Sequence, residues 1–320
     1  MKHICELLSI QYPIIQGGMG NISNAQLAAA VSNAGGLGTI GCGTMTPAQV
    51  EAIILETKAK TKNSFAMNIP ISVSPYTEEM IDLVLKHEIP VVSLSAGNPA
   101  PFIPLLRENN VKVIVIVASV KHAQKAEAQG ADVLVAEGFE AAGINSNMEL
   151  TTFTLIPQIS RRVTIPVVAA GGIGDGNGLA AALMLGAVGV QLGTRLIATK
   201  EAPFHSSYKQ RLLDAADNET IILGRSIGQV RRVLKAPYAD RIIELEQSGL
   251  VPEQYSKMTS EDYHINGAIQ GDTENGFMNS GQVAGLIDHI PTVKELLEGM
   301  IKDARTQMED RLHGFTVTGG

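Results

Sequence analysis

Two glycine-rich turns carry the strongest chemical signal in this 320-residue sequence. Gly171-Gly172-Ile173-Gly174-Asp175-Gly176 follows an apolar run at 165–170, and Gly193-Thr194-Arg195 follows another at 188–192. Glycines let backbone N–H groups come close to a ligand, and N–H groups near a helix start favour an anion. Thr194 adds a hydroxyl donor. Gly171, Gly172, Gly193 and Thr194 therefore read as a phosphate cradle. The competing reading is that the glycines only make tight turns.

Three further features could serve a ring-shaped ligand. Gln16-Gly17-Gly18-Met19 ends the first apolar run, and a Gly-Gly-Met stretch lets a flat ring lie against backbone beside a soft thioether. The Asn68 amide offers donors and an acceptor. Glu137 ends another apolar run, where a lone buried carboxylate is costly without a partner such as hydroxyls or a cation. Taken singly, Asn68 also reads as a capped structural amide, and Glu137 as half of an ion pair.

The elements that position these residues repeat. Apolar runs of strand length lie at 13–16, 36–40, 65–71, 91–95, 111–118, 133–137, 165–170 and 188–192. Amphipathic stretches separate them. Asn24 can cap one, Thr46-Pro47 opens a second, and Ser119 can cap a third. Strands that are apolar throughout belong in a parallel sheet covered on both faces. Eight such βα units predict an α/β fold, a (β/α)8 TIM barrel, with the site at the C-terminal ends of its strands. An open doubly wound sheet is the alternative.

After the eighth run the pattern changes. The reading is a barrel formed by residues 1–196 and 278–320, with residues 197–277 as a helical insertion between strand eight and helix eight. The stretch 251–276 reads as polar and turn-rich. Residues 280–289 (SGQVAGLIDH) read as the delayed eighth helix, 291–312 as an added C-terminal helix, and 316–320 as a disordered tail. The insertion reads either as a lid over the site or as a structural cap.

Composition excludes several classes. Lys plus Arg is 25 against 32 Asp plus Glu, a net charge of −7, which disfavours a nucleic-acid partner. Two cysteines, Cys5 and Cys42, give neither a disulfide framework nor a Cys-rich zinc site, and Cys42 reads as a small packed residue. The histidines show no metal-ligand spacing, so no metal is expected. No apolar run approaches the roughly 20 residues that span a bilayer, and the first residues do not resemble a signal peptide. A cytoplasmic protein that acts on a small molecule, away from membranes, is expected.

The motifs YPIIQGGMG, AMNIP, SAGNP, AEGFEAAG, VVAAGGIGDG, VQLGTR and SGQVAGL stand in an order that resembles one family. It is the FMN-dependent superfamily that joins nitronate monooxygenases (formerly 2-nitropropane dioxygenases) with enoyl-ACP reductase II. Length, the N-terminal register, the insertion and the expected SGQVAGL helix are more similar to the reductase branch. The resemblance implies one FMN per barrel, with the ring beside Gly17, Gly18, Met19 and Asn68, and Glu137 near the ribityl chain or ring. It places the phosphate on Gly171, Gly172, Gly193 and Thr194, with Gln16 counted in the same site. It also implies a cytosolic homodimer and NADH or NADPH as electron donor.

One departure from that family bears on mechanism. The loop after strand six usually reads E-G-x-E-A/S-G-G-H there, and its His is the active-site residue. Here the position is Ile144, whose side chain can neither donate nor accept a proton. Abstracting a carbon-bound proton needs a base, whereas an anionic nitronate is already deprotonated. Glu140, Asn145 and Ser146 in the same loop, and His205 at the start of the insertion, are the candidate substitutes. Three functions follow as expectations: NAD(P)H-dependent reduction of an activated alkene (an enoyl thioester) or a quinone, oxidation of alkyl nitronates with O2, or a flavin-binding barrel with little catalysis.

Overall fold

The computed structural model describes residues 2–314, so the tail expected to be disordered, 316–320, lies outside the described residues. Eight parallel strands form the barrel: Ile14–Gln16, Gly38–Gly41, Phe65–Pro70, Val91–Ser95, Lys112–Val117, Val133–Glu137, Val167–Ala170 and Gly189–Leu192. We number them one to eight. From the second to the eighth, each pairs in parallel with the next, and the eighth pairs with the first, Ile14 against Val190. A bridge between Ile15 and Leu37 joins strands one and two, so the ring closes.

Local chemistry sets the helices. Asn24 accepts a hydrogen bond from the Leu27 N–H at 2.9 Å and starts the helix Ala25–Asn33. Thr46 and Gln49 make a capping box at the helix Pro47–Lys60. Ser119 accepts from the His122 N–H at 3.1 Å and starts Val120–Ala128. A short helix, Ile103–Glu108, links strands four and five and is too brief to show a period in the sequence.

Nearly every strand residue is buried, as sheet covered on both faces requires. One apolar cluster fills the layer between strands and helices. A second fills the barrel interior, where Ile4 and Leu8 of the helix Lys2–Leu8 pack with Val91 and Val133, the first residues of their strands. That helix stops the N-terminal end of the barrel, and the opposite end stays open.

The segment after strand eight differs from the expectation in three ways. First, SGQVAGLIDH is not the eighth helix: only Gln282–Leu286 is helical there, as a 3-10 turn. The 22-residue helix Val293–Gly314 takes the barrel position, packed on the helices Gly176–Met184 and Ala25–Asn33. Its buried residues Val293, Leu297, Met300 and Ala304 recur at helical spacing, whereas Leu286 of the 3-10 turn is 61% exposed. Second, the insertion is not purely helical. Thr220–Leu223 and Arg231–Leu234 form an antiparallel pair, and Arg231–Arg232 pairs in turn with Gly143–Ile144 of the loop after strand six. Third, the stretch read as polar and turn-rich contains the helices Pro252–Met258 and Glu261–Ala268. Leu223, Val233, Tyr238, Ile242, Tyr255 and Phe277 give this region its own small core. No described helix is long and apolar enough to cross a membrane.

Candidate active site

A cavity of about 650 Å³ opens at the C-terminal ends of the strands. Gly17, Gly18, Met19, Asn68, Glu137, Gly171, Gly172, Gly193 and Thr194 all line it. Gln16 does not. Its side chain is 1% exposed and clamps strand two, donating to the Thr39 carbonyl at 3.0 Å and accepting from the Thr39 N–H at 3.3 Å. Being the last residue of strand one, it points into the barrel wall instead of the mouth.

Gly18 has to be glycine. A Cβ there would stand 2.4 Å from Asn68 Oδ1 and 2.6 Å from Asn68 Cβ. Asn68 cannot retreat, because its Nδ2 donates to the Ser93 carbonyl, Ser93 Oγ and Ser95 Oγ, each at 3.2 Å. Those contacts orient the amide and leave Oδ1, without a donor among the described residues, as an acceptor on the cavity wall.

Glu137 ends strand six on the cavity wall and has no hydrogen-bond or ion-pair partner among the described residues. Burial pushes its carboxyl up to about 7. Cys42, by contrast, is sealed in the core, where burial pushes its thiol up to about 12 and removes any nucleophilic role near neutral pH.

The two glycine corners meet through a third segment. The Gly281 N–H donates to Thr194 Oγ1 at 2.9 Å, and the Gln282 N–H donates to the Glu140 carbonyl at 2.9 Å. A Cβ on Gly172, where φ is +72°, would lie 3.4 Å from Glu140 Cβ. Gly172, Glu140, Gly281 and Thr194 thus form one contiguous wall. No acceptor among the described residues faces the N–H groups of Gly171, Gly172, Gly193 or Thr194. Backbone donors left unpaired beside a cavity fit an oxyanion such as a phosphate.

The candidate substitutes for the absent His are held by structure. Glu140 accepts from the Thr152 N–H at 2.9 Å and from Thr152 Oγ1 at 3.1 Å, at the start of the helix Thr152–Ser160. Asn145 Nδ2 braces its own loop on the Ala141 and Gly143 carbonyls, at 2.9 and 3.2 Å. Ser146 Oγ accepts from the Met148 N–H at 3.2 Å. These three line the cavity; His205 does not. His205 caps the helix Ser206–Leu213, its Nδ1 accepting from the Ser207 N–H at 3.2 Å.

A buried polar group that the sequence did not reveal also reaches the cavity, from the insertion. Arg231 donates through Nη1 to Asn279 Oδ1 at 3.2 Å and lies over the Phe277 ring at 5.1 Å. Asn279 Nδ2 lies 3.2 Å from His264 Nε2, and His264 Nδ1 lies 3.5 Å from Glu261 Oε2. The His264 ring stacks on Phe277 at 5.3 Å. Burial works to raise the Glu261 carboxyl, but His264, the Arg231 charge and the Asn21 N–H together hold it below its ordinary value. Tyr208 donates its hydroxyl to the Asn279 backbone carbonyl. The only sequence signal was a pair of adjacent arginines in an otherwise apolar run, VRRVL. Among the described residues, no group of three or more His, Cys, Asp or Glu is placed to hold a metal ion.

Comparison with known proteins agrees with this architecture. The nitronate monooxygenase family model matches residues 2–79 and 61–303. The solved structure of FabK from Thermotoga maritima is 42% identical and superposes with a TM-score of 0.93, covering 98% of each chain. A 5-hydroxy-7a-methyl-1-oxo-octahydro-1H-indene-4-carboxyl-CoA dehydrogenase from Rhodococcus jostii is 33% identical over 94% of this chain and 95% of its own. A probable nitronate monooxygenase from Staphylococcus aureus is 32% identical over 88% of this chain and 91% of its own. The chain is therefore an oxidoreductase, and it belongs to the nitronate monooxygenase family.

Proposed function

We propose that this protein is an FMN-dependent oxidoreductase that uses NADH or NADPH to reduce an activated alkene of the enoyl-thioester type, or a quinone. The observation that carries the reading is the pair of glycine corners. Their acceptor-free N–H groups share one cavity with the Gly18 floor and an oriented Asn68. Gly171, Gly172, Gly193 and Thr194 would hold the phosphate. Gly17, Gly18 and Met19 would support the ring, and Asn68 Oδ1 would accept from a ring N–H. Glu137 would meet the ribityl hydroxyls, which answers its lack of a partner. A bound FMN supplies hydride transfer between a nicotinamide and the substrate. The likeness to FabK favours an enoyl thioester as acceptor.

A second reading is nitronate oxidation with O2. Ile144 favours it, because a nitronate arrives without the carbon-bound proton that a loop base would remove. We also take the active species to be a homodimer, which light scattering would test. One experiment separates the readings: the absorbance spectrum of the purified protein, then anaerobic titration with NADH, NADPH and propyl-2-nitronate. Bleaching by a pyridine nucleotide supports the reductase, and bleaching by nitronate alone supports the monooxygenase. A colourless protein that takes up no added FMN would end both.

A further inference from the structure

The loop position Ile144 is directly opposite Arg231 in the antiparallel pair that ties the insertion to the loop after strand six. Residues directly opposite each other project to the same face, with Cβ atoms about 5 Å apart. Arg231 is 8% exposed and lines the cavity. Of its N–H groups, only Nη1–H finds an acceptor among the described residues, and no carboxylate there approaches within ion-pair distance. A buried guanidinium with unspent donors is costly unless an acceptor completes it. Because Arg231 lines the cavity, an acceptor held there can meet them.

Its supports are arranged for aim. Asn279 receives Arg231 on Oδ1 and turns Nδ2 to His264. His264 in turn lies with Nδ1 3.5 Å from Glu261 Oε2, and Glu261 also accepts from the Asn21 N–H at 3.0 Å beside the first glycine stretch. Phe277 stacks on His264 and carries Arg231 over its face. The chain Glu261, His264, Asn279, Arg231 thus runs from the floor loop to the cavity wall beside Ile144.

We propose that Arg231 is the substrate-recognition residue of this site. It binds the oxyanion end of the substrate, with Asn279, His264 and Glu261 as positioning residues. The class of ligand is one whose negative charge rests on oxygen: a nitronate, a carboxylate, or the enolate oxygen that develops on an unsaturated thioester as hydride adds to its double bond. A planar guanidinium matches such groups through paired N–H bonds. The idea deepens the proposed function, and it concerns the oxyanion, whatever the electron donor.

Calorimetric titration with sodium nitrate, a planar oxyanion, tests it in apo and FMN-loaded protein. Nitrate should bind the parent, and Arg231→Met should weaken it by about tenfold or more, as for loss of a charge-assisted pair. Arg231→Lys, which keeps the charge and is the milder change, should still lose about threefold, because the fork is gone. His264→Gln should weaken nitrate while FMN affinity, read by absorbance, stays unchanged. In turnover, R231M should lower kcat/KM for crotonyl thioester or for propyl-2-nitronate, identifying the source of the oxyanion. The rate of flavin bleaching by pyridine nucleotide should fall less than kcat/KM for that substrate. Equal nitrate binding in parent, R231M and R231K would overturn the proposal, as would a defect confined to the nucleotide step. If no FMN binds but nitrate still requires Arg231, the flavin reading fails and this one stands.

Discussion

Arg231 and Ile144 face each other across two antiparallel segments that lie far apart in the chain. The pairing places a buried cation opposite the half-exposed side chain of Ile144. It also means that the segment after strand eight contributes residues directly to the cavity wall.

Ile144→Glu tests that pairing. Ile144 is 52% exposed, so its loss costs little packing. Opposite charges directly across a strand pair contribute about 0.2–1 kcal/mol. The variant should unfold in urea at or slightly above the parent midpoint, and nitrate binding should fall because Arg231 is engaged. A loss of more than about 1 kcal/mol would mean that the two side chains do not share a face.

Leu297→Ala and Leu286→Ala separate the two candidates for the eighth barrel helix. Leu297 is fully buried under the helix Val293–Gly314, and its truncation should cost about 2–5 kcal/mol. Leu286 is 61% exposed in the 3-10 turn, and its truncation should stay within about 0.5 kcal/mol. The reverse order in urea unfolding would return SGQVAGLIDH to the barrel wall.

Gly18→Ala should strain the floor. The new methyl would lie 2.4 Å from Asn68 Oδ1, on a side chain already tied to strand four. A loss of about 1–3 kcal/mol is expected, as for overpacking. Adding Asn68→Gly should recover part of it, giving a coupling energy that independent sites would lack. Strictly additive effects would show that the two residues do not touch.

Glu137 makes the ligand-free protein pH-sensitive. Its folded carboxyl sits at about 7, above its unfolded value, so the folded state favours the protonated form. The stabilisation is complete below about pH 4 and is lost as pH rises through about 7. Glu137→Gln should therefore melt higher than the parent at pH 8 and near it at pH 5. The difference at pH 8 should be at most about 3 kcal/mol, and less because part of the side chain faces the open cavity. A parent as stable as E137Q at pH 8 would mean that the carboxylate has a partner after all.

The eight strands, the caps at Asn24, Thr46 and Ser119, and both glycine corners were legible in the amino-acid order. Each depends on neighbours within a few residues, where periodicity and capping act. The insertion's inner helices were not legible, because too few of their residues are apolar: Tyr255, His264 and Ala268 are buried on segments that are otherwise polar. Gln16 looked like a ligand residue for the converse reason, since nothing local says which way the last residue of a strand turns.

What the sequence determined alone is therefore the repeat of the βα unit and the positions of its turns, both products of short-range backbone preference. Tertiary structure alone decided three things: which distant helix completes the barrel, that Asn68 presents an acceptor, and that Arg231 stands beside Ile144. All three arise from contacts between segments far apart in the chain. Such contacts are chosen by how buried surfaces and unsatisfied polar groups can be matched in space, and no local window of residues encodes that match.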